Sequence, residues 1–294
     1  MADLAIEPLV GALGARVLGL DLKKDLRGST LTAVRAAWLQ HLILVFPDQQ
    51  LTPDQQVEAA SKIGRPCVNP FVPGLADHPV VIPIVKEPQD RLSFGTGWHS
   101  DQTFESVPPM ASLLYMKETP PRGGDTLWAN MYAAFEALSP AMQTMLEGLV
   151  GEHDAGDSYG PRADYAVRDG NLHSMKIKVS EAAEVAARHP VVCRHPETDR
   201  RFLFVNSVFT KRLAGFTEAE SQALLGFLFR HQKSPEFMVR HRWTVGDVVL
   251  WDNRCTQHSA INDYQGYRRE AHRVTIANEP AEWAKVWADR EIAA

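Results

Sequence analysis

Cysteine is scarce. Cys67, Cys193 and Cys255 are the three in 294 residues. An odd, widely spaced set offers neither a disulfide framework nor a zinc-ribbon pattern, so a reduced, cytoplasmic setting is expected. Long apolar runs are missing too: none approaches the roughly 20 residues that a helix needs to cross a bilayer. Met1 to Glu7 holds two acids and no basic stretch, which is not the pattern of a signal peptide. Positive charge is not in excess, with 31 Lys and Arg against 36 Asp and Glu and a net charge of −5. Neither a nucleic acid nor an anionic membrane is therefore an expected partner. Internal repeats and low-complexity segments are absent.

The composition is that of an ordinary globular chain, 45% hydrophobic and 23% charged. The length allows two domains or one large β-rich unit, and we read residues 1–294 as a single domain. Short strands are expected around the glycines of Leu9 to Leu22. His41 to Phe46 is a continuous apolar stretch and reads as a strand buried on both faces. Further strands are expected at Val80 to Val85, Ala111 to Lys117, Leu127-Trp128, Val191 to His195, Phe202 to Val205, Phe237 to Trp243, Val248 to Trp251 and Glu270 to Ile276. Helical spacing marks Thr30 to Gln40, with Ser29 or Thr30 as N-cap, then Pro53 to Ile63, Met131 to Leu138, and Pro140 to Leu149 capped by Ser139. Thr217 to His231 is a helix with a capping box from Thr217 and Glu220. Ser93 to Gly97 reads as a mobile approach loop. Residues 154–190 show little periodicity, and we read them as a substrate lid. The pattern is mixed α/β with a mainly β core, a sandwich or jelly roll flanked by helices.

The densest chemistry lies in His99-Ser100-Asp101. On a strand, residues two apart share a face, so both side chains could aim at one point. Two imidazoles and one carboxylate form the facial triad of a non-haem Fe(II) oxygenase. Flanking Trp98 and Phe104 argue for burial, where polar groups need partners or a metal. Spacing alone leaves the second histidine open. His258 follows an apolar strand and a turn, and precedes an arginine-rich run. His153, His173, His189, His195, His231, His241 and His272 compete, most of them read as solvated or at helix ends.

Arg269 and Arg273 lie four residues apart in a predicted strand and should share one face, with His272 on the other. A guanidinium fork is the usual way to hold a carboxylate, and two suit a dicarboxylate chelator plus an anionic substrate. Pairing with internal acids is the alternative.

These residues resemble the taurine dioxygenase / TfdA family of Fe(II)- and 2-oxoglutarate-dependent dioxygenases. The likeness runs through Trp98 to Phe104, Gly123-Gly124-Asp125-Thr126-Leu127-Trp128, Leu203 to Asn206, and Trp251 to His258, then Asp263-Tyr264, Arg268-Arg269 and His272-Arg273. The N-terminal Pro8 to Leu22 pattern joins it. The resemblance implies a double-stranded β-helix (jelly roll), with iron on His99, Asp101 and His258. It implies that Thr126 and Arg269 hold the distal carboxylate of 2-oxoglutarate, and that Arg273 meets the anionic group of the substrate. Fe(II), 2-oxoglutarate and O2 are then required, and hydroxylation releases succinate and CO2. Likeness also implies a homo-oligomer, dimer or tetramer.

Departures from the taurine branch bear on the substrate. A sulfonate-binding histidine of that branch is Asn69 here, and a neighbouring tyrosine is Val72. The Phe94-Gly95-Thr96-Gly97 approach looks like aryloxyalkanoate-oxidising relatives. Tyr159 falls where the family places an aromatic near iron, and Phe104 and Phe209 are further pocket candidates. Lys176 and Lys178, in the lid, read as a solvated pair. The expected substrate is an aryloxyalkanoate-type carboxylate. An alkylsulfonate releasing sulfite is the alternative. A metal-dependent hydrolase and a catalytically silent binding protein are the readings from other classes.

Overall fold

In this computed structural model, which describes residues 4–163 and 174–287, the apolar stretch Ile43–Phe46 is a strand buried at every residue. Its side chains divide by parity: Ile43 and Val45 enter one core cluster, Leu44 and Phe46 another. The strand therefore lies inside a sheet covered on both faces.

In chain order the strands are β1 (Ala5–Pro8), β2 (Ala15–Leu18), β3 (Ile43–Phe46), β4 (Pro66–Cys67), β5 (Val81–Lys86), β6 (Ala111–Glu118), β7 (Thr126–Asn130) and β8 (Val150–His153). They continue with β9 (Ala187–Pro190), β10 (Val192–Arg194), β11 (Arg201–Leu203), β12 (Thr210–Leu213), β13 (Met238–His241), β14 (Val248–Asp252), β15 (Thr256–Ala260) and β16 (Arg269–Ile276). The helices are α1 (Gly28–His41), α2 (Pro53–Ile63), α3 (Met131–Glu136), α4 (Pro140–Glu147), α5 (Gly156–Tyr159), α6 (Glu218–His231) and α7 (Pro280–Ala284). Helix and strand contribute similar amounts, a mixed α/β architecture. No helix among the described residues is long and apolar enough to cross a membrane.

The main sheet has eight strands in the order β1-β2-β3-β14-β6-β16-β4, with β5 also paired to β16. Smaller sheets follow the orders β13-β7-β15, β12-β8-β9 and β10-β11. Along β14, Val248 and Leu250 pack beside residues of α1 and α2, whereas Val249 and Trp251 pack towards β7 and α3. The same alternation runs along β16: Val274 and Ile276 face α2, and Ala271 faces the other way. The odd-numbered residues of β16, Arg269 and Arg273 among them, thus point towards the small sheet.

α2 and α6 start where their sequences predict, α6 with the expected capping box of Thr217 and Glu220, and α2 with a further one, from Thr52 with Gln55. α1 departs from expectation. It begins at Gly28, and Arg27 is its N-cap without a side-chain bond. Strands β1, β8, β12 and β15 were not expected. They are four or five residues long and all carry polar side chains, so their pairing comes from tertiary contacts. The expected irregular segment 154–190 contains α5 and the strand β9, which pairs with β8. Residues 164–173 of that segment lie outside the described part.

Candidate metal centre and active site

His99 and His258 are cross-strand neighbours. Reciprocal backbone bonds join them, His99 N to His258 O at 3.1 Å and His258 N to His99 O at 2.8 Å. The expected continuous strand through Asp101 does not form. His99 makes an isolated bridge to His258, and Asp101 sits in the turn that follows, next to Gln102 at φ 52°. Asn253 enforces the turn. Its amide oxygen accepts from Asp101 N at 2.6 Å, and its nitrogen donates to the carbonyls of Asp101 and Pro109. The side-chain convergence survives by a different backbone route: Asp101 Oδ1 lies 3.8 Å from His99 Nε2 and 4.0 Å from His258 Nε2.

These three groups, all buried, have ligand atoms close enough for one ion. Burial holds both imidazoles neutral: lost solvation, reinforced by repulsion from His99, brings His258 down to about 3 against the pull of Asp101, and burial likewise holds His99 below its ordinary value. Neutral nitrogens are what a metal needs. His99 Nδ1 faces the Gly97 carbonyl at 2.8 Å, which fixes the tautomer with Nε2 free to ligate. Burial pushes the Asp101 carboxyl up, but Arg273, His258, His99 and the Ser112 hydroxyl together outweigh it and bring it to about 2. Ser112 Oγ donates to Asp101 Oδ2 at 2.8 Å, leaving Oδ1 towards the histidines. The donor set of two imidazole nitrogens and one carboxylate oxygen fits Fe(II).

A second cluster, His195, Asp252 and Cys255, has comparable spacing. Its ligand atoms are engaged. Arg254 donates to both Asp252 oxygens, at 2.9 and 2.7 Å. His195 Nε2 meets Asp252, while its Nδ1 accepts from the Glu197 and Thr198 amides. This is an internal ion-pair network of the fold. It also corrects the expectation that the remaining histidines are mostly solvated: His153, His189, His195 and His241 are buried, each with a hydrogen-bond partner. His173 lies outside the described residues.

The parity argument for the arginines holds. Arg273 and Arg269 are buried on one face of β16, while His272 turns to Glu270. Arg273 Nη1 binds Asp101 Oδ1 at 2.8 Å. The Arg269 side chain makes no hydrogen bond or ion pair among the described residues, and its Nε is a buried donor without an acceptor there. Its guanidinium carbon lies 5.7 Å from the Trp243 ring. Trp243 Nε1 donates to Thr126 Oγ1 at 2.9 Å, which ties Thr126 to the same corner. Gly123 and Gly124, at φ 74° and 72°, make the turn that delivers Thr126. A Cβ at Gly123 would sit 2.4 Å from Asp263 Oδ1, so only glycine fits.

A cavity of about 170 Å3 opens over His99 and Asp101. Asn69, Phe94, Tyr159, Phe209 and Arg273 line it. Val72 and Phe104 do not. They pack behind the wall, in one apolar cluster with Phe71, Tyr159 and Phe209. Phe71 stacks on Tyr159 at 5.0 Å, and Phe104 meets Phe209 at 5.1 Å. Asn69 Oδ1 accepts from the Phe71 and Val72 amides, so its oxygen shapes the loop. Lys176 and Lys178 are exposed, as expected. Ser112, Asn253 and Trp243 were not singled out from sequence. Asn253 lies inside the quoted Trp251 to His258 motif; Ser112 and Trp243 carry no local signal.

Comparison with known proteins agrees with this geometry. The family described as "Taurine catabolism dioxygenase TauD, TfdA family" matches residues 5–275. An alkylsulfatase of Acinetobacter baylyi is 36% identical over 94% of this chain and 86% of its own. An alpha-ketoglutarate-dependent 2,4-dichlorophenoxyacetate dioxygenase of Cupriavidus pinatubonensis is 31% identical over 92% and 97%. The crystal structure of a taurine dioxygenase from Burkholderia xenovorans, 35% identical, superposes with a TM-score of 0.77 over 94% of this chain and 90% of that one. The chain belongs to the TauD/TfdA family of Fe(II)- and alpha-ketoglutarate-dependent dioxygenases.

Proposed function

We propose that this protein hydroxylates a small organic anion with an apolar body, using Fe(II) held by His99, Asp101 and His258. Family membership leaves the hydrolase and silent-binder readings without support. Bound iron would supply the oxidation with O2 and 2-oxoglutarate, one oxygen atom entering succinate as CO2 leaves and the other entering the substrate. The remaining work falls to the side chains. Thr126 and Arg269 hold the distal carboxylate of 2-oxoglutarate; the support is a buried guanidinium without an acceptor among the described residues. Arg273 holds the substrate anion beside the metal, and the aromatic walls exclude water and place the adjacent carbon.

The observation that carries this reading is the buried Arg273–Asp101 contact at the base of a cavity walled by Phe94, Tyr159 and Phe209. A single cation among apolar walls suits one anionic head on an apolar body. An aryloxyalkanoate fits this description, and it would be hydroxylated beside its ether oxygen and collapse to a phenol and a keto acid. A sulfur oxyanion on an alkyl chain is the second reading, favoured by the 36% identity with the alkylsulfatase. Residues 154–190 act as a lid in this reading, supported by Tyr159 stacking on Phe71 and by Met175 joining the same apolar cluster. We read the two principal sheets as a jelly roll, and 1–294 as one domain. The oligomeric and cytoplasmic expectations rest on family likeness and cysteine usage alone.

Succinate release with Fe(II), ascorbate, O2 and 2-oxoglutarate tests the proposal across panels of aryloxyalkanoates, alkyl sulfates and alkylsulfonates. Stimulation above the uncoupled background by one panel identifies the head group. No succinate from iron-loaded protein with any panel would overturn the dioxygenase reading.

A further inference from the structure

Lys86 closes β5 and is 3% exposed, and its Nζ is a buried donor without an acceptor among the described residues. The ammonium lies over the Tyr264 ring, 4.7 Å from its centroid. Lys86 stands directly opposite Arg269 in the β5–β16 register, as Ile84 does opposite Ala271 and Ile82 opposite Arg273. Opposed residues of an antiparallel pair project to the same face. Lys86 and Arg269 are therefore two buried cations on the face that carries Arg273 to the metal centre. Tyr264 and Arg269 also share a neighbour: a Cβ on Gly124 would lie 3.3 Å from both Arg269 Cδ and Tyr264 Cδ1.

The acids nearby are engaged elsewhere. Asp125 accepts from Arg240 at 2.6 Å, and Asp263 from Gly124 N at 2.7 Å. Glu87 pairs with Arg268, and Asp90 accepts from Glu87 N and from Ser174. Buried charges are normally paired, and like charges brought together on one face repel. A ring face offsets part of this cost for one cation. Two cations without an acidic partner among the described residues and a threonine hydroxyl, whose proton stays free because Thr126 Oγ1 accepts from Trp243, make a receptor for a carboxylate.

We propose that Lys86 is a second cation for the distal carboxylate of 2-oxoglutarate, sharing it with Arg269. This rests on the cosubstrate reading above and adds a positioning residue to it. Arg269 would bring a planar fork and Lys86 a point charge. Together they would select 2-oxo acids that end in a carboxylate over those that do not.

The test is anaerobic titration of the Fe(II) protein, following the visible charge-transfer band, with 2-oxoglutarate and with 2-oxovalerate, which has the same chain length and no distal carboxylate. Wild type, Lys86→Met and Lys86→Arg are compared, and the metal-free proteins are melted. Lys86→Met should bind 2-oxoglutarate about tenfold or more weakly, the scale of a lost charge-assisted hydrogen bond. Its affinity for 2-oxovalerate should not change. Lys86→Arg should recover most of the loss. Metal-free Lys86→Met should melt no lower than wild type, since it removes an unpaired buried charge. Unchanged 2-oxoglutarate affinity, or equal weakening for both oxo acids, would overturn the proposal. A Lys86→Met protein melting well below wild type would assign the lysine to the fold and overturn it too. No band in wild type with either oxo acid would overturn the cosubstrate reading itself.

Discussion

Arg273 Nη1 lies 2.8 Å from Asp101 Oδ1, with both side chains 5% exposed. The same oxygen faces His99 and His258, so Arg273 neutralises the carboxylate atom that is turned towards the metal position. Breaking a buried pair from one side leaves the other charge uncompensated, at about 3–5 kcal/mol. Arg273→Met should therefore lower the melting temperature of metal-free protein by many degrees. Mn(II) should restore more stability to the variant than it adds to wild type, because a divalent ion takes over the neutralisation of Asp101. Melting in chelator and in Mn(II) checks both parts. Equal midpoints in chelator would show that the pair does not hold Asp101.

The two arginines should separate in kinetics. Arg269→Ala should raise the 2-oxoglutarate requirement by about tenfold or more while changing the substrate KM little, as loss of a charged hydrogen-bond partner predicts. Arg273→Ala should do the reverse. Steady-state titration of each ligand at saturating amounts of the other measures the split. Identical behaviour of the two variants would remove the division of labour between these positions.

Ser112 is fully buried on β6, and its hydroxyl donates to Asp101 Oδ2 at 2.8 Å. It orients a metal ligand without touching the ion. Ser112→Ala should weaken Mn(II) binding about 10–100-fold, the usual scale for such partners. The melting temperature of the metal-free protein should stay within a few degrees of wild type. Unaltered metal affinity would leave Arg273 and Asn253 as sufficient supports for Asp101.

The features readable in sequence were those with a local signature. The parity of Arg269, His272 and Arg273 followed from strand geometry, and the capping box of Thr217 and Glu220 from its own residues. The buried strand Ile43–Phe46 was visible as an unbroken apolar run. The bridge-and-turn path of His99 to Asp101 was not readable, because Asn253 enforces it from 152 positions away. The burial of His153, His189 and His195 was hidden for the same reason: they bond Thr103, Glu105 and Asp252, 50 or more positions away. The lining of the cavity was half legible. Tyr159 and Phe209 reach it, while Val72 and Phe104 support it from behind, a distinction that depends on how four aromatic rings pack. The orphan state of Lys86 exists only after the acids around it have chosen other partners.

His189 and His153 give the protein a pH response outside the metal centre. Both are fully buried, with rings 5.2 Å apart and packed on Phe204. Burial lowers His189 to about 4, against raising contributions from the Glu105 and Thr103 backbone. Burial, with His189 and Lys211, holds His153 well below its ordinary value. A histidine depressed in the folded state leaves the unfolded chain with more protons between the two pKa values, so stability rises with pH there. The contribution is complete above about pH 6.5 and fades as pH falls towards about 4. Glu105, raised by burial, opposes the trend weakly. Asp101, lowered to about 2, titrates below this window. Urea unfolding of metal-free protein should lose stability from pH 7.5 to pH 5, with about 2 kcal/mol from His189 alone. His99 and His258 act in the same direction, so the test is a difference. His189→Gln should flatten the slope by at least that amount whatever its own stability, because it also relieves the repulsion that helps to depress His153. Parallel pH slopes in wild type and variant would mean that His189 carries its proton in the folded state.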